Sequence, residues 1–550
     1  MEERVKGKIV LCSVLCDGMD KFVEELGLGY IAAWLRKNKY EVMLIQASAE
    51  NIKYDEIEAF QPQVVAYSMY GVSKHEVYRV CEQVKKLLPD SFTIAGGYFV
   101  SQFFDEVLKE EEYIDCIIRG EGEMVMLETI EHYFAGKDFG DVKGLVYRKD
   151  GEIIFNPSQE LIKDLDMLPW PSRDILVKNK LKIVLVSTSR GCNGRCSFCP
   201  SHSYWRCWRG RSPENIVEEI EHIYNTYKIS LFNFIDCSFE DPDKECARLK
   251  EIAQRIVDKK LRISWFCDMR AEFRRKATPE LMELLYKSGM CGVCIGIESA
   301  NDKDLKLYKK IASVEDNTEV VKLFTKYKIN MIYGFINFNP YSDFEGLYKN
   351  IDYLEKNLFA INVDTIVNAY TVYKDSDMYN RIVKDGLMTD FHVGAYGYSY
   401  GYHFVDHRIE SLCHYIGSHV KEVNERVNSA FIKLKIYGND FVTILNHVTR
   451  FAHMEQNEKL MNMCCDCEKT YYEIKREANA SVAQATRELI KLAEENWSEE
   501  AADEIFHEKY LSDRYLKEII ARFESLIFPL YTKLLREEPS FCDIFEYISR

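Results

Sequence analysis

No stretch of this 550-residue chain is long and apolar enough to span a bilayer: its strongest apolar runs, 8–16 and 181–187, fall far short of the roughly 18 residues required. The first twenty residues lack the charged start and extended apolar core of a secretory leader, so a cytoplasmic protein is expected. Proline and glycine are scarce, at 12 and 27 residues, and no repeat or low-complexity tract is present, which excludes fibrous and disordered classes. Positive charge is in deficit. With 72 Lys and Arg against 88 Asp and Glu, the net charge is −16, and the resulting field repels phosphate backbones and anionic lipid. Nucleic acid and membrane surfaces are therefore disfavoured as partners.

Apolar residues are plentiful, at 47% hydrophobic and 13% aromatic, and the length suggests three or four packed domains. The 18 cysteines would mean disulfides in a small secreted protein. In a reducing compartment they stay as thiols or bind metal, and their spacing matters more than their number.

From residue 8 to about 146, short β-branched runs alternate with amphipathic stretches, the pattern of a parallel sheet with helices on its faces. Strands are predicted at 8–14, 41–45, 64–68, 92–95 and 116–118, and helices at 26–37, 74–88, 103–111 and 125–134. This fits an α/β, flavodoxin-like doubly wound domain over 1–150, whose ligand site lies at the carboxyl ends of the strands. Residues 151–182, with Asn156-Pro157 and Leu168-Pro169-Trp170-Pro171, read as a linker. A second alternation predicts strands at 183–187, 231–235, 262–266, 291–297, 330–336 and 360–368. Six units are too few for an eightfold barrel of ~250 residues, so 183–375 is expected to be a partial (β/α) barrel. Periodic stretches at 406–437, 441–453, 454–494 and 498–536 predict a helical C-terminal domain over 376–550.

The first strand of the second alternation runs into Cys192-Asn193-Gly194-Arg195-Cys196-Ser197-Phe198-Cys199, a C-x3-C-x2-C spacing. Three thiolates this close can hold three irons of a 4Fe–4S cluster and leave the fourth open to an exogenous ligand. A structural zinc site would need a fourth ligand, which His202 could supply.

Set after the first strand of a partial barrel, C-x3-C-x-aromatic-C resembles the signature of the radical S-adenosylmethionine (SAM) superfamily. The resemblance implies that Cys192, Cys196 and Cys199 are the cluster ligands and that Phe198 helps to seat the adenine. In that family the open iron binds SAM, and an electron from the cluster cleaves it to methionine and a 5′-deoxyadenosyl radical. The segment Gly292-Val293-Cys294-Ile295-Gly296-Ile297-Glu298-Ser299 resembles the family's glycine-containing fourth strand, implying SAM contacts from Gly296, Glu298 and Ser299. Asp236 and Arg270, at the ends of the second and third predicted strands, are further SAM candidates.

Upstream, residues 27–35, Gly96-Gly97 and Arg119-Gly120-Glu121-Gly122-Glu123 together resemble the cobalamin-binding domain that precedes the barrel in a large class of this superfamily. Ser68, Gly96, Gly97, Gly120 and Glu121 are the implied cobalamin contacts. The D-x-H-x-x-G motif of other cobalamin proteins is missing, and the nearest N-terminal histidine is His75; many members of the class hold the cofactor without such a ligand. Tyr98-Phe99 stands where smaller residues are common and would shape or block the lower face of the corrin. Gly27-Leu28-Gly29-Tyr30-Ile31-Ala32 matches G-x-G-x-x-A, but about ten residues separate it from the preceding strand, too many for a pyrophosphate turn. Its small residues are expected instead to let the helix lie close to the sheet.

Four other features receive structural readings. Arg206, Arg209 and Arg211, interleaved with Trp205 and Trp208, could clamp an anion but more simply lead into a helix capped by Ser212-Pro213. Cys464, Cys465 and Cys467, with Cys413 and Cys542, lie on helical patterns where vicinal side chains diverge. His403, His407 and His414 read as packing or surface groups, and the tyrosines at 396, 398, 400 and 402 alternate as in a strand.

The resemblance thus implies a cobalamin-dependent radical SAM enzyme that methylates an unactivated carbon, or phosphorus, of a peptide or natural-product substrate. Its cofactors would be a 4Fe–4S cluster, SAM and cobalamin, reduced by an external donor such as flavodoxin or ferredoxin; no catalytic residue is assigned. A radical SAM cyclase, epimerase or rearrangement enzyme without methyl transfer is the rival enzyme. A non-catalytic iron–sulfur or corrin-carrying protein is the rival of another class.

Overall fold

The computed structural model describes residues 5–15, 24–240, 245–374, 376–394, 397–454 and 457–537. They fall into two compact units, one drawn from 1–192, 201–236 and 391–399 and the other from 193–200, 237–390 and 400–550.

In the first unit, β1 (Lys8–Leu15) has six consecutive buried residues between half-buried ends. Such a strand is covered on both faces, as in a parallel sheet flanked by helices. It lies between β2 (Glu41–Ser48) and β3 (Val64–Ser68), Ile9 facing Val42 on one side and Val64 on the other. β4 (Phe92–Gly96) and β5 (Cys116–Ile118) continue the parallel order 2-1-3-4-5 of a flavodoxin-like sheet. The connecting helices include Leu26–Lys37, Lys74–Leu87 and Gly122–Ala135.

The sheet does not stop there. β6 (Leu145–Lys149) and β7 (Glu152–Phe155) add an antiparallel hairpin at its edge. Its turn is Asp150-Gly151, both at positive φ (52° and 84°), the conformation for which Asp-Gly is selected. The expected domain boundary at 150 thus falls in a hairpin turn, and the expected linker begins with a strand. The linker is packed as well: Ile162, Leu165 and Leu168 form a buried cluster with Leu26 and Tyr30. Gly29 touches this segment rather than the sheet. A Cβ there would lie 2.9 Å from the Ser172 carbonyl, and Ser172 N donates to Gly29 O at 3.0 Å.

The strand–helix run continues with β8 (Ile183–Val186), followed by β9 (Ser189–Arg190) and β10 (Arg209–Gly210), which pair antiparallel. β11 (Leu231–Phe234) lies parallel to β8. In the second unit, β12 (Ser264–Arg270), β13 (Met290–Glu298) and β14 (Asn330–Phe335) form parallel neighbours. The sixth expected strand, 360–368, is not one. Val363–Val367 is a helical turn, and Ala369 makes an isolated parallel bridge to Phe338. Backbone bonds join the two segments only beyond the helical turn, from Asn337 N and Phe338 N to Asn368 O and from Tyr370 N to Phe338 O, and side chains add to them: Asn337 Nδ2 donates to Ile366 O, and Asn368 Nδ2 donates to Phe335 O.

The tail is helical as expected, with helices His407–Arg426, Phe441–Met454, Glu458–Glu495 and Asp513–Glu537, but the stretches expected at 406–437 and 498–536 are each broken, the first after Arg426 and the second before Asp513. The 38-residue helix buries Leu460, Cys464, Cys467, Tyr471, Ile474 and Ala478 at three- and four-residue spacing. Glu504–Tyr510 is a π-helical segment. Residues 397–402 form a strand, as the alternating tyrosines suggested; Tyr396 lies outside the described residues.

Candidate functional site

At the carboxyl ends of β3, β4 and β5, Ser68, Gly96, Gly97 and Gly120 share one edge of the first sheet. Ser68 faces Gly96 in the last rung, and Met69 N donates to Gly96 O at 3.0 Å. Gly97 has φ +110°, a conformation that favours glycine, and a Cβ there would come 3.4 Å from Met69 O and 3.6 Å from Ser68 Oγ. Gly120, at φ +84°, donates its N–H to Ser101 Oγ at 3.0 Å, and its carbonyl accepts from Tyr204 Oη at 3.0 Å. Tyr98 packs its ring on Tyr204, with centroids 4.7 Å apart. An edge with bare backbone at consecutive strand ends, flanked by aromatic rings, fits a broad flat cofactor such as a corrin.

Glu121 does not join that edge. Its carboxylate is 4% exposed and accepts from Arg190 at 2.6 Å, Arg209 at 2.8 Å and Ile162 N at 2.9 Å. Its carboxylate is thus engaged within the protein, where it acts as a structural anion. Arg211 is likewise buried, pairing with Glu219 at 2.6 Å, while Glu219 also accepts from Arg173 at 2.8 Å. Ser212 Oγ caps the helix Pro213–Tyr227 as expected, accepting from Asn215 N. The arginine–tryptophan segment is thus a structural device.

The loop leading to Cys192 is held by Asp236. This carboxylate, 1% exposed, accepts from Thr188 N at 2.8 Å and Ser189 N at 2.6 Å, and from the Thr188 hydroxyl. In this structure it fixes the loop. Gly191, at φ +88°, admits no side chain, since a Cβ would sit 2.3 Å from Cys207 O.

In the second unit, Cys196 and Cys199 bracket a turn in which Cys199 N donates to Cys196 O at 3.1 Å. Ser197 ties the turn down: its N–H donates to Tyr308 O at 2.9 Å, its hydroxyl to Leu307 O at 2.8 Å, and its carbonyl accepts from Met378 N. Phe198 meets Tyr308 edge-on at 5.6 Å and leans on the apolar cluster of Tyr308, Ile336, Tyr370 and Met378, leaving part of its ring exposed. All three motif thiols are partly exposed, and three thiolates are a suitable donor set for a cluster with one open iron.

At the end of β13 the ladder with β14 shifts register between Gly296 and Glu298, and Glu298 takes φ +63°. This bulge lays the Glu298 carboxylate over two bare glycines. A Cβ on Gly296 would be 2.4 Å from Glu298 Oε1, and one on Gly334 would be 3.3 Å from Oε2. Lys310 Nζ stands 3.6 Å from the same carboxylate and is 5% exposed. Burial alone would lower the Lys310 pKa, but Glu298, and after it Cys196, outweigh burial and hold it above the ordinary lysine range. Arg270, ending β12, donates to Glu240 at 3.0 Å and lies 3.3 Å from Glu272. Ser299 is fully buried with its hydroxyl 3.0 Å from both Asp304 and Asn350, which supports the strand end. Sequence reasoning missed Lys310 and also Asn317, whose amide donates to Ile297 O and Ser299 O. Neither sits in a motif with readable spacing.

The tail cysteines do not gather into a centre among the described residues: Cys464 and Cys467 are buried, Cys465 is exposed, and Cys542 lies outside those residues. Burial pushes the Cys467 thiol up to about 12, away from the thiolate form metals require. His403 and His407 both lie on Glu410 at the surface.

A flavodoxin-like domain with a bare glycine edge, followed by parallel strand–helix units opening on C-x3-C-x2-C, defines a two-cofactor radical enzyme. Comparison with known proteins agrees. A B12 binding domain family model matches residues 13–130, and the Radical SAM superfamily model matches 186–351. An uncharacterized methyltransferase of Pyrococcus horikoshii is 29% identical over 60% of this chain and 73% of its own length. An anaerobic magnesium-protoporphyrin IX monomethyl ester cyclase of Rubrivivax gelatinosus is 27% identical over 54% of this chain, which spans 55% of that relative's length. Among solved structures, the cobalamin-dependent SAM radical enzyme OxsB, with aqua-cobalamin and SAM bound, shares the fold with a TM-score of 0.68. That match has 17% identity and covers 99% of this chain and 83% of OxsB. The chain belongs to the radical SAM superfamily, in the class with an N-terminal B12-binding domain. Its cofactors are a 4Fe–4S cluster, SAM and cobalamin. Such an enzyme acts on a small substrate and needs a reductant. No helix among the described residues is long and apolar enough to cross a membrane.

Proposed function

We propose that this chain is a cobalamin-dependent radical SAM methyltransferase acting on an unactivated carbon, or on phosphorus, of a peptide or natural-product substrate, in the cytoplasm and with an external electron donor such as flavodoxin or ferredoxin. The observation that carries this reading is the succession of a B12-binding match and a radical SAM match in one chain, the second opening on Cys192, Cys196 and Cys199. When bound, the cluster with SAM supplies a radical that takes hydrogen from an inert bond, and the corrin supplies a transferable methyl group.

The protein's part is to position and to exclude water. Cys192, Cys196 and Cys199 hold the cluster; Asp236 and Ser197 fix the two ends of that loop. Glu298, braced by Lys310 over Gly296 and Gly334, would accept hydrogen bonds from SAM, with Arg270 opposite Gly296 on the next strand and Phe198 toward the adenine. Ser68, Gly96, Gly97 and Gly120 receive the corrin. The Pyrococcus relative's methyltransferase name supports methyl transfer.

A second reading, radical cyclisation or rearrangement without methyl transfer, draws support from the cyclase relative. Anaerobic reconstitution with iron, sulfide and hydroxocobalamin, then a dithionite assay with SAM, separates the two. Methyl transfer is expected to give a corrin-loaded protein forming both 5′-deoxyadenosine and S-adenosylhomocysteine. Deoxyadenosine without S-adenosylhomocysteine favours the second reading, and neither product from a cluster-loaded protein overturns both.

A further inference from the structure

We propose that the helical tail carries a second metal centre, a zinc-type site built from His419, Asp503 and His507 with Glu422 beside it. His419 and Glu422 lie on the helix His407–Arg426; Asp503 ends the helix Glu499–Asp503, and His507 sits in the π-helical segment that follows. One ligand atom from each of His419, Asp503 and His507 lies within 4.8 Å of the others. His419 Nε2 is 3.2 Å from Asp503 Oδ1 and 3.9 Å from Glu422 Oε2. Bonds of 2.0–2.1 Å in a tetrahedron put neighbouring donors about 3.3 Å apart. The first edge already has that length, and the remaining corners need to close by about 1 Å or a little more.

The His419 ring meets a carbonyl at one nitrogen and carboxylates at the other. Its Nδ1 is 2.9 Å from the Tyr415 carbonyl and 3.2 Å from Ser418 Oγ, and in the tautomer that donates to the carbonyl Nδ1 bears the proton. Its Nε2 then faces the Asp503 carboxylate, also an acceptor. A neutral ring has one N–H, so the second contact requires either another proton or a metal ion between the two groups. A backbone carbonyl on one ring nitrogen is how metal-binding histidines are commonly oriented. Tyr415 completes the support: its hydroxyl donates to Asp503 Oδ1 at 2.7 Å and its ring stacks on His419 at 3.9 Å.

Arg426 holds the third corner in this structure, donating to His507 Nδ1 at 2.9 Å. The same guanidinium also reaches Asp513 at 2.9 Å and Glu422 at 3.4 Å, so it keeps anionic partners when an ion takes His507. Two imidazoles with carboxylate suit zinc or cobalt, whereas magnesium and calcium prefer oxygen alone. The π-helical insertion is consistent, because such turns concentrate at functional sites.

The test uses cofactor-loaded enzyme, whose motif cysteines are occupied, titrated with Zn2+ against a chromophoric chelator. One zinc per chain is expected, at least tenfold weaker in Asp503→Asn and lost in the His419→Gln/His507→Gln double variant, with iron, corrin and circular dichroism unchanged. Co2+ on the unmutated enzyme gives a reading that needs no variant: visible d–d bands without the near-ultraviolet sulfur charge-transfer band. No zinc bound, equal affinity in the double variant, or a sulfur charge-transfer band would each overturn the site.

Discussion

Arg190 sets one guanidinium nitrogen 2.6 Å from Glu121 and gives the other to Glu123, in a place where none of the three is more than a tenth exposed. Arg209 adds a second cation and Tyr30 lies under the Arg190 guanidinium at 5.4 Å, so two positive and two negative charges balance inside the first unit. Arg190 stands two residues before Cys192, and Glu121 opens the turn after the last parallel strand of the B12-binding domain. The pair therefore ties the turn beside the glycine edge to the segment that leads into Cys192. Burial alone would make Arg190 easier to deprotonate, but Glu123 and Glu121 outweigh burial and keep it charged.

Breaking such a buried pair from one side leaves uncompensated charge, typically costing about 3–5 kcal/mol. Glu121→Ala is expected to lose about 3 kcal/mol or more of unfolding free energy in urea, and Glu121→Gln distinctly less. A loss under about 1 kcal/mol for the alanine variant would show that Arg190 and Arg209 find other partners.

Replacing Cys192, Cys196 and Cys199 together by alanine should abolish the brown chromophore of the reconstituted protein and its roughly four irons per chain. Replacing Cys464 and Cys467 should leave both intact, because burial keeps those thiols protonated. Iron retained in the triple variant would move the cluster to other cysteines.

The sheet of the first domain was legible because strands buried on both faces read as unbroken β-branched runs, as in KIVLCSVL. The start of the radical SAM match was legible because cluster chemistry calls for a fixed cysteine spacing, here C-x3-C-x2-C. The hairpin around Asp150-Gly151 was overlooked although Asp-Gly is a strong turn signal, since its strands are only five and four residues long. The β-branched run 363–367 misled in the opposite direction: its strand propensity lost to the bonds made by Asn337 and Asn368, partners in the chain rather than in the run. Side-chain commitments were not legible at all. Glu121, Asp236 and Ser299 sit at the positions where ligand contacts are expected, yet each is spent on a residue between 2 and 88 positions away.

Gly296 and Glu298 can be tested as a pair. Glu298→Ala is expected to weaken SAM binding about tenfold or more, the loss of a charge-assisted hydrogen bond, with iron content unchanged. Gly296→Ala would put a methyl 2.4 Å from Glu298 Oε1 and displace that carboxylate, so it should reproduce the defect with Glu298 still present. Equilibrium dialysis of labelled SAM against cluster-loaded protein measures both. Unaltered affinity in Glu298→Ala would remove this strand end from the SAM site.

Asp316 gives a pH signature. Its side chain is inaccessible, and it accepts from Arg274 at 2.6 Å and Arg275 at 2.9 Å while capping the helix Val314–Lys326. Burial would raise its pKa, but the bonds from Arg275, the Ser313 backbone and Arg274 together hold it well below the usual carboxylate range. A depressed carboxyl stabilises the fold above the unfolded-state pKa near 4, and that contribution is lost as pH falls below it. Asp316→Asn should therefore be less stable than the parent at pH 7, and the gap should narrow between about pH 5 and 3. A gap that stays constant over that range would mean the loss is steric and not electrostatic.

The glycine edge proposed to receive the corrin has its own discriminating residue in Gly97. Its φ of +110° is costly for any side chain, by roughly 1–3 kcal/mol, and a Cβ would stand in contact with Met69 O at 3.4 Å on the edge where β3 and β4 end. Gly97→Val should fold, since the helix behind it begins at Tyr98 and its buried side, Phe99 and Val100, is untouched. It should load the cluster normally but keep less than half a corrin per chain after desalting. Because the cluster cysteines and the strand end at Glu298 are unaltered, reductive cleavage of SAM to 5′-deoxyadenosine should persist while S-adenosylhomocysteine disappears. If corrin content stays at one per chain, the cofactor is seated elsewhere than on this glycine edge; if deoxyadenosine is lost along with the corrin, the two cofactors depend on each other for binding, and methyl transfer cannot be separated from radical formation by this variant.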